Sequence, residues 1–169
     1  MQIFEIDLNH RFNDRLAVSL DFPLGSVDVE ISAEGIHQIR IGTGRRPELT
    51  DALPNWLQPL VEFLRQWPDA PVPKNLPLVG KPTAWQLAVW ERLIKIPVAE
   101  TRSYGEIARE MGRPTAVRAV ARACATNDWC LLIPCHRVLG ANGAMVGFRW
   151  GIEWKAKLLR MEQLASSRG

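Results

Sequence analysis

The sequence predicts an α+β chain: a small N-terminal antiparallel sheet carrying one helix, followed by a mostly helical C-terminal half. Three observations lead there. Residues 2–41 hold short runs in which apolar and polar residues alternate, the period of half-buried strands. Residues 83–164 hold helical stretches, two of them opened by capping sequences. Between the two regions, residues 68–82 carry five of the twelve prolines (Pro68, Pro71, Pro73, Pro77 and Pro82), and the charge changes sign across them. Residues 1–78 have 7 Lys/Arg and 11 Asp/Glu, a net of −4; residues 79–169 have 14 and 7, a net of +7, which together give the +3 of the whole chain. Two domains are therefore expected, 1–78 and 79–169, with the proline stretch as an extended linker.

The elements follow in order. Residues 2–8 alternate loosely and read as a strand; residues 15–22 alternate well and read as a second. Pro23-Leu24-Gly25 turns the chain into a third, where Val27, Val29 and Ile31 alternate with Asp28, Glu30 and Ser32. Glu34-Gly35 turns it again into a strand over 36–41, and 42–50 reads as loop. A helix is predicted from Pro54 to Trp67, with Leu57, Leu60, Val61 and Leu64 as its apolar stripe and Pro68 as its end. Thr83 with Gln86, and Ser103 with Glu106, are capping boxes that open helices to about Lys95 and Met111. Gly112 suits the end of the second, and Pro114 is predicted to start a further helix to about Ala125. This pair has the form of a helix-turn-helix, although a helical hairpin that merely packs has the same signature. Residues 129–133 read as a buried strand or extended segment, 140–151 as a glycine-rich loop, and 152–164 as a final helix.

Composition narrows the class. With 47% hydrophobic and 23% charged residues the chain is globular rather than disordered. The N-terminus is acidic where a secretory leader needs base, and no run reaches the ~18 apolar residues that span a membrane. A soluble cytoplasmic protein without membrane attachment is expected, bacterial or archaeal more readily than nuclear. The three cysteines, Cys124, Cys130 and Cys135, are odd in number and clustered, which argues against a disulfide framework; their spacing fits no common zinc pattern. No metal is expected. The basic half suits a phosphate-binding surface, with a solvated cationic face as the alternative.

The chemistry concentrates in Pro134-Cys135-His136-Arg137-Val138. A thiol is the best side-chain nucleophile near neutral pH once it loses its proton, and a neighbouring imidazole and guanidinium favour that loss. Adjacent side chains usually point apart, so a water relay from Cys135 to His136 is favoured over a direct bond, with Glu162 as the candidate acid that orients the imidazole. Upstream, Arg118 and Arg122 share one helix face with small residues around them, including Ala119, while Val117, Val120 and Cys124 share a face that suits a core. Small residues beside arginines let a backbone approach a DNA groove; a polar surface face is the alternative.

Taken together, these residues resemble the O6-alkylguanine-DNA alkyltransferases. Pro134-Cys135-His136-Arg137-Val138 is similar to that family's active-site signature. Residues 103–108 and 116–120 resemble its helix-turn-helix, Asn127 its hinge asparagine, and 157–162 its last helix. The resemblance covers nearly all of 83–162; residues 1–75 match only in outline. It implies an RNase H-like N-terminal domain and a C-terminal domain with a winged helix-turn-helix bound in the minor groove of double-stranded, alkylated DNA. Arg118 would fill the space of a flipped guanine. Ser103, Tyr104, Thr115, Ala119 and Arg122 would contact DNA, and Tyr104 would also donate a proton to the departing base. Glu162, His136 and a water would take the proton of Cys135, with Asn127 bracing the turn. Val138, Phe148, Arg149 and Trp150 would form the base pocket. The alkyl group would pass irreversibly to Cys135, once per molecule and with no cofactor. A monomer is implied, with cooperative assembly on DNA and transfer from O4-alkylthymine left open.

Three departures from the usual pattern matter. Phe148 stands where many members have Tyr, Trp150 where many have Gly, and Asp128 where a proline is frequent. Trp150 is expected to narrow the pocket against bulky adducts, and Asp128 to loosen the turn. No cysteine precedes Cys124, so the N-terminal zinc site of some members is not expected.

Overall fold

A computed structural model describes residues 5–7, 15–42 and 53–168. The chain divides into two compact units, Met1–Lys81 and Pro82–Gly169. The division falls three residues beyond the expected boundary, because the strand that ends the first unit runs through it.

In the first unit, β1 (Glu5–Asp7), β2 (Leu16–Phe22), β3 (Gly25–Ser32), β4 (Gly35–Ile41) and β5 (Pro77–Val79) form one sheet in the order β1-β5-β4-β3-β2. The alternation in the sequence is realised in β2, β3 and β4, which pair antiparallel with Val18 opposite Val29 and Val29 opposite Ile39. Val18, Leu20, Val27, Val29, Ile31, Ile36, Ile39 and Ile41 are all buried. The expectation of a purely antiparallel sheet is corrected: β5 lies in the proline-rich stretch read as linker and pairs parallel with β1 and with β4. Pro77 opens that strand, where a missing N–H is tolerated. Gly35 makes the approach possible: at φ +149, a Cβ there would sit 2.2 Å from the carbonyl oxygen of Pro77.

A 3-10 turn at Asn55–Leu57 leads into α1 (Gln58–Arg65), whose Leu60, Val61 and Leu64 are buried along with Leu57, and which packs on β2. Burying side chains of this size stabilises by roughly 1.5–3 kcal/mol each. The predicted loop at 42–50 lies, apart from Gly42, outside the described residues.

The second unit holds α2 (Ala84–Leu93), β6 (Arg102–Ser103), α3 (Tyr104–Glu110), α4 (Val117–Ala125), β7 (Val138–Leu139) and α5 (Ile152–Ser166). Both capping boxes are formed: Thr83 Oγ1 accepts from Gln86 N–H at 3.2 Å, and Ser103 Oγ accepts from Glu106 N–H at 3.1 Å. Gly112, at φ +70, turns the chain after α3, and α4 packs on both α3 and α2. Trp90 Nε1 donates to the Ala123 carbonyl at 2.9 Å, and Trp85 Nε1 to that of Ala119 at 3.2 Å, tying α2 along α4.

Two expectations are corrected here. Helix α4 starts at Val117 rather than Pro114, after a turn over 114–116, and Val117 is exposed rather than part of the core. Residues 129–133 are buried as expected but form a turn: Ile133 N–H donates to the Trp129 carbonyl at 3.1 Å, and Leu131 sits at φ +71. No helix among the described residues is long and apolar enough to cross a membrane.

Candidate active site

The site is built on the turn that follows α4. Asn127, fully buried, accepts through Oδ1 from the Trp129 N–H at 2.9 Å; its Nδ2 donates to the Ile133 carbonyl at 2.9 Å and to Cys135 Sγ at 3.2 Å. One amide side chain therefore closes the turn at both ends and touches the thiol. It also holds Leu131 in a left-handed conformation that costs a branched residue of order 1–3 kcal/mol. Pro134 fixes the entry to a 3-10 turn over Cys135–Arg137, and Arg137 N–H closes it onto the Pro134 carbonyl at 3.0 Å.

Cys135 and His136 are both buried, at 3% and 0% exposure. His136 Nε2 lies 2.8 Å from Glu162 Oε1. Glu162 stands on α5 and accepts three further groups. Arg137 reaches it from Nε (3.1 and 3.2 Å) and Nη2 (2.8 Å), and the Ala99 N–H reaches Oε2 at 3.2 Å. Burial alone would push the carboxyl up, but the bonds and charges of His136 and Arg137 outweigh it and hold Glu162 down to about 2. Glu162 is thus ionised and can only accept, so the proton of a neutral imidazole lies on Nε2 and Nδ1 is the basic nitrogen. Burial holds His136 below its ordinary range despite the carboxylate. Burial also pushes the Cys135 thiol up, against the Asn127 hydrogen bond and the positive charges of Lys155 and Arg149. The resting site therefore pairs a neutral thiol with a neutral base.

Tyr104, the first residue of α3, is buried and donates to the carbonyls of Gly147 at 3.2 Å and Val146 at 3.4 Å. Burial pushes its hydroxyl up to about 12, so it stays a donor at ordinary pH. Val138 is buried in β7 opposite Arg102. Phe148 and Trp150 are half-buried, edge to face at 5.3 Å, and Arg149 is exposed. Asp128 is not left loose: Arg149 Nη1 lies 2.6 Å from its Oδ1.

Of the DNA-contact candidates, Tyr104 is buried and feels the charge of Cys135, while the others lie on or before α3 and α4. Ser103 is spent on its cap; Thr115 precedes α4, and Arg118, Ala119 and Arg122 are exposed on it. The predicted groups brought into direct contact include Cys135 with Asn127, His136 with Glu162, Arg149 with Asn127, and Phe148 with Trp150.

Two residues carry more than the sequence suggested. Arg137 was expected to favour loss of the Cys135 proton; instead it grips Glu162 and donates to the Ile96 carbonyl at 2.6 Å, and the positive charges that act on the thiol are Lys155 and Arg149. Lys155 is fully buried, and its Nζ donates to the carbonyls of Val146 at 3.0 Å and Gly147 at 3.4 Å, 5.8 Å from the centre of the Tyr104 ring. Its signal was its place on α5, on the same face as Leu158, Leu159 and Glu162 at helical spacing.

No group of three or more His, Cys, Asp or Glu among the described residues could hold a metal ion.

Against known proteins, residues 84–164 match the family model described as the DNA-binding domain of 6-O-methylguanine DNA methyltransferase. Over 90 residues the chain is 51% identical to the bifunctional transcriptional activator/DNA repair enzyme Ada of Escherichia coli, covering 53% of this chain and 25% of that protein. Among solved structures, the Mycobacterium tuberculosis O6-methylguanine methyltransferase is similar at TM-score 0.70 and 30% identity, over 89% of this chain and 94% of that one. Mycobacterium tuberculosis OGT in complex with DNA is similar at 0.67 and 30%, over 88% and 92%. The site thus sets a buried thiol in the residue before a buried His–Glu pair, within a mostly helical unit. The chain belongs to the O6-methylguanine-DNA methyltransferase family. It spans a quarter of the length of Ada and about half that of other curated relatives.

Proposed function

We propose that the protein repairs DNA by moving the alkyl group of O6-alkylguanine in a duplex onto Cys135, once per molecule. The single observation behind this is the fixed thiol: Sγ held at 3.2 Å by Asn127, in the residue next to a His136–Glu162 pair at 2.8 Å. The neutral thiol and neutral imidazole suit a nucleophile that is activated only when substrate arrives.

In this mechanism the Cys135 proton passes through a water to Nδ1 of His136, and Glu162 stabilises the imidazolium that forms. The thiolate attacks the alkyl carbon; the S–C bond forms as the C–O6 bond breaks. The electron pair stays on the guanine, which takes a proton with Tyr104 as donor. The product thioether has no leaving group that water could displace, so the thiol is not regenerated.

DNA would dock through α3 and α4 in the minor groove, where the small residues of α4 permit close approach and Arg118 fills the stack behind a flipped base. The same proposal takes the second unit as a winged helix-turn-helix, the first as RNase H-like, and the working form as a cytoplasmic monomer. O4-alkylthymine is a second substrate to be tried beside O6-alkylguanine.

The test is Cys135→Ala, mixed with a duplex carrying one O6-methylguanine. Binding to the duplex with no loss of the methyl group from DNA is expected. Repair by this variant at the wild-type rate would remove Cys135 from the mechanism.

A further inference from the structure

We propose that the ion pair between Arg149 and Asp128 is a specificity-determining latch, which holds the Phe148–Trp150 aromatic wall against the Asn127 turn and limits which O6 substituents reach Cys135. The proposal rests on the alkyl transfer set out above.

One guanidinium joins the parts. Arg149 Nη1 lies 2.6 Å from Asp128 Oδ1 and donates to the Asn127 carbonyl at 3.4 Å. The same group lies 5.7 Å over the ring of Trp150, which meets Phe148 edge to face at 5.3 Å. Asn127, in turn, is the residue whose Nδ2 holds Cys135 Sγ. The aromatic wall is thus tied through a cation to the turn that carries the acceptor.

The loop needs such a tie. Gly147 and Gly151 flank it at φ +56 and φ +99, left-handed positions that glycine adopts without strain and that turn the chain at both ends of the segment. Its leading end is pinned where Tyr104 and Lys155 donate to the Val146 and Gly147 carbonyls. Gly151 N–H turns back onto the Phe148 carbonyl at 3.0 Å. The Arg149–Asp128 pair pins the middle. Its side chains are 38% and 45% exposed, so it biases the loop rather than locking it. Exposed pairs of this kind shift a two-state balance by up to about fivefold. A latch of that strength lets a small adduct pass while making room for a large one costly.

The test uses the full chain and two duplexes that differ only in carrying O6-methylguanine or O6-benzylguanine. The readout is the ratio of the benzyl to the methyl rate constant, in which the common DNA-binding step cancels. Asp128→Asn should raise this ratio about fivefold. Asp128→Glu, which keeps the charge opposite Arg149, should leave it near the wild-type value. For the wild type, the ratio should also rise between about 0.1 and 1 M salt, as the exposed pair is screened. A ratio that stays constant in Asp128→Asn and in salt overturns the latch while leaving alkyl transfer standing. A rise as large in Asp128→Glu as in Asp128→Asn separates the effect from the charge pair and also overturns it. A wild type that takes no methyl group from DNA overturns the latch and the proposed function together.

Discussion

Arg137 and Glu162 meet side-on inside the second unit, with Nη2 2.8 Å and Nε 3.1 Å from Oε1, the oxygen that also lies 2.8 Å from His136 Nε2. Two cation-capable side chains share one buried carboxylate. Arg137 holds the carboxylate ionised and in place; His136 is left neutral but has its counter-charge already positioned. The charge needed when His136 takes a proton is therefore preorganised, with no reorganisation during the reaction.

Replacing Glu162 with Gln should slow methyl transfer by about 10²–10⁴-fold, the scale of a lost acid–base partner. It also leaves Arg137 buried without its carboxylate, which should cost about 3–5 kcal/mol of stability. Single-turnover kinetics and chemical denaturation on the same variant check the two effects separately. An unchanged rate would show that the pair is structural only.

Acid should destabilise the fold through the same pair. Glu162 is held down to about 2 in the fold, against an ordinary 4.5, so its contribution is fully present above pH 4.5 and is lost as pH falls toward 2. Fully expressed, that contribution is on the order of 3 kcal/mol. His136, held below 6.5 in the fold, adds to the loss from pH 6.5 downward, because the unfolded chain takes the proton first. Urea unfolding between pH 7 and 3 should show stability falling through this window, with a shallower fall in Glu162→Gln.

Asn127→Ala should be among the most destabilising single changes in the second unit. It leaves the Trp129 N–H and the Ile133 carbonyl unsatisfied in the interior, at about 1–3 kcal/mol each. Asn127→Asp keeps the shape and the acceptor but sets a carboxylate where Sγ now receives an N–H, so the thiol should titrate higher and react more slowly. Thiol titration with a small alkylating reagent checks this; a thiol that titrates as in the wild type would show that Asn127 does not act on Sγ.

Arg118→Ala should weaken repair of a duplex lesion more than reaction with the free modified base. Arg118 is exposed on α4 and takes no part in the Asn127–Cys135 or His136–Glu162 hydrogen bonds, so its removal leaves those bonds in place. Comparing rate constants on duplex and free base tests this, and equal losses on both would contradict a role in base flipping.

The sequence disclosed what is local. Alternation over 15–41 and the capping boxes at Thr83 and Ser103 need only neighbouring residues to be legible, and the structure realises both. Strand β5 was hidden because three residues among prolines acquire strand character only from remote partners, β1 and β4. The start of α4 was misplaced because Pro114 permits a helix start without requiring one. Residues 129–133 were apolar enough for a strand, but the Asn127 side chain bends them into a turn, and that long-range hydrogen bonding leaves no periodicity. Within the site, Cys135, His136, Asn127 and Glu162 were legible through their motifs. Arg137 was read as acting on the thiol and Lys155 was given no role, since what each does depends on a partner that only folding supplies: the carboxylate of Glu162 for one, the Val146 and Gly147 carbonyls for the other.

The most direct measurement is stoichiometric. The protein is incubated with excess duplex bearing O6-methylguanine labelled in the methyl group, then digested and mapped. Acceptance of the methyl group by Cys135 predicts one label per protein molecule, on the peptide containing Cys135, with no further transfer on prolonged incubation. Label on Cys124 or Cys130, or continued turnover beyond one equivalent, would contradict it.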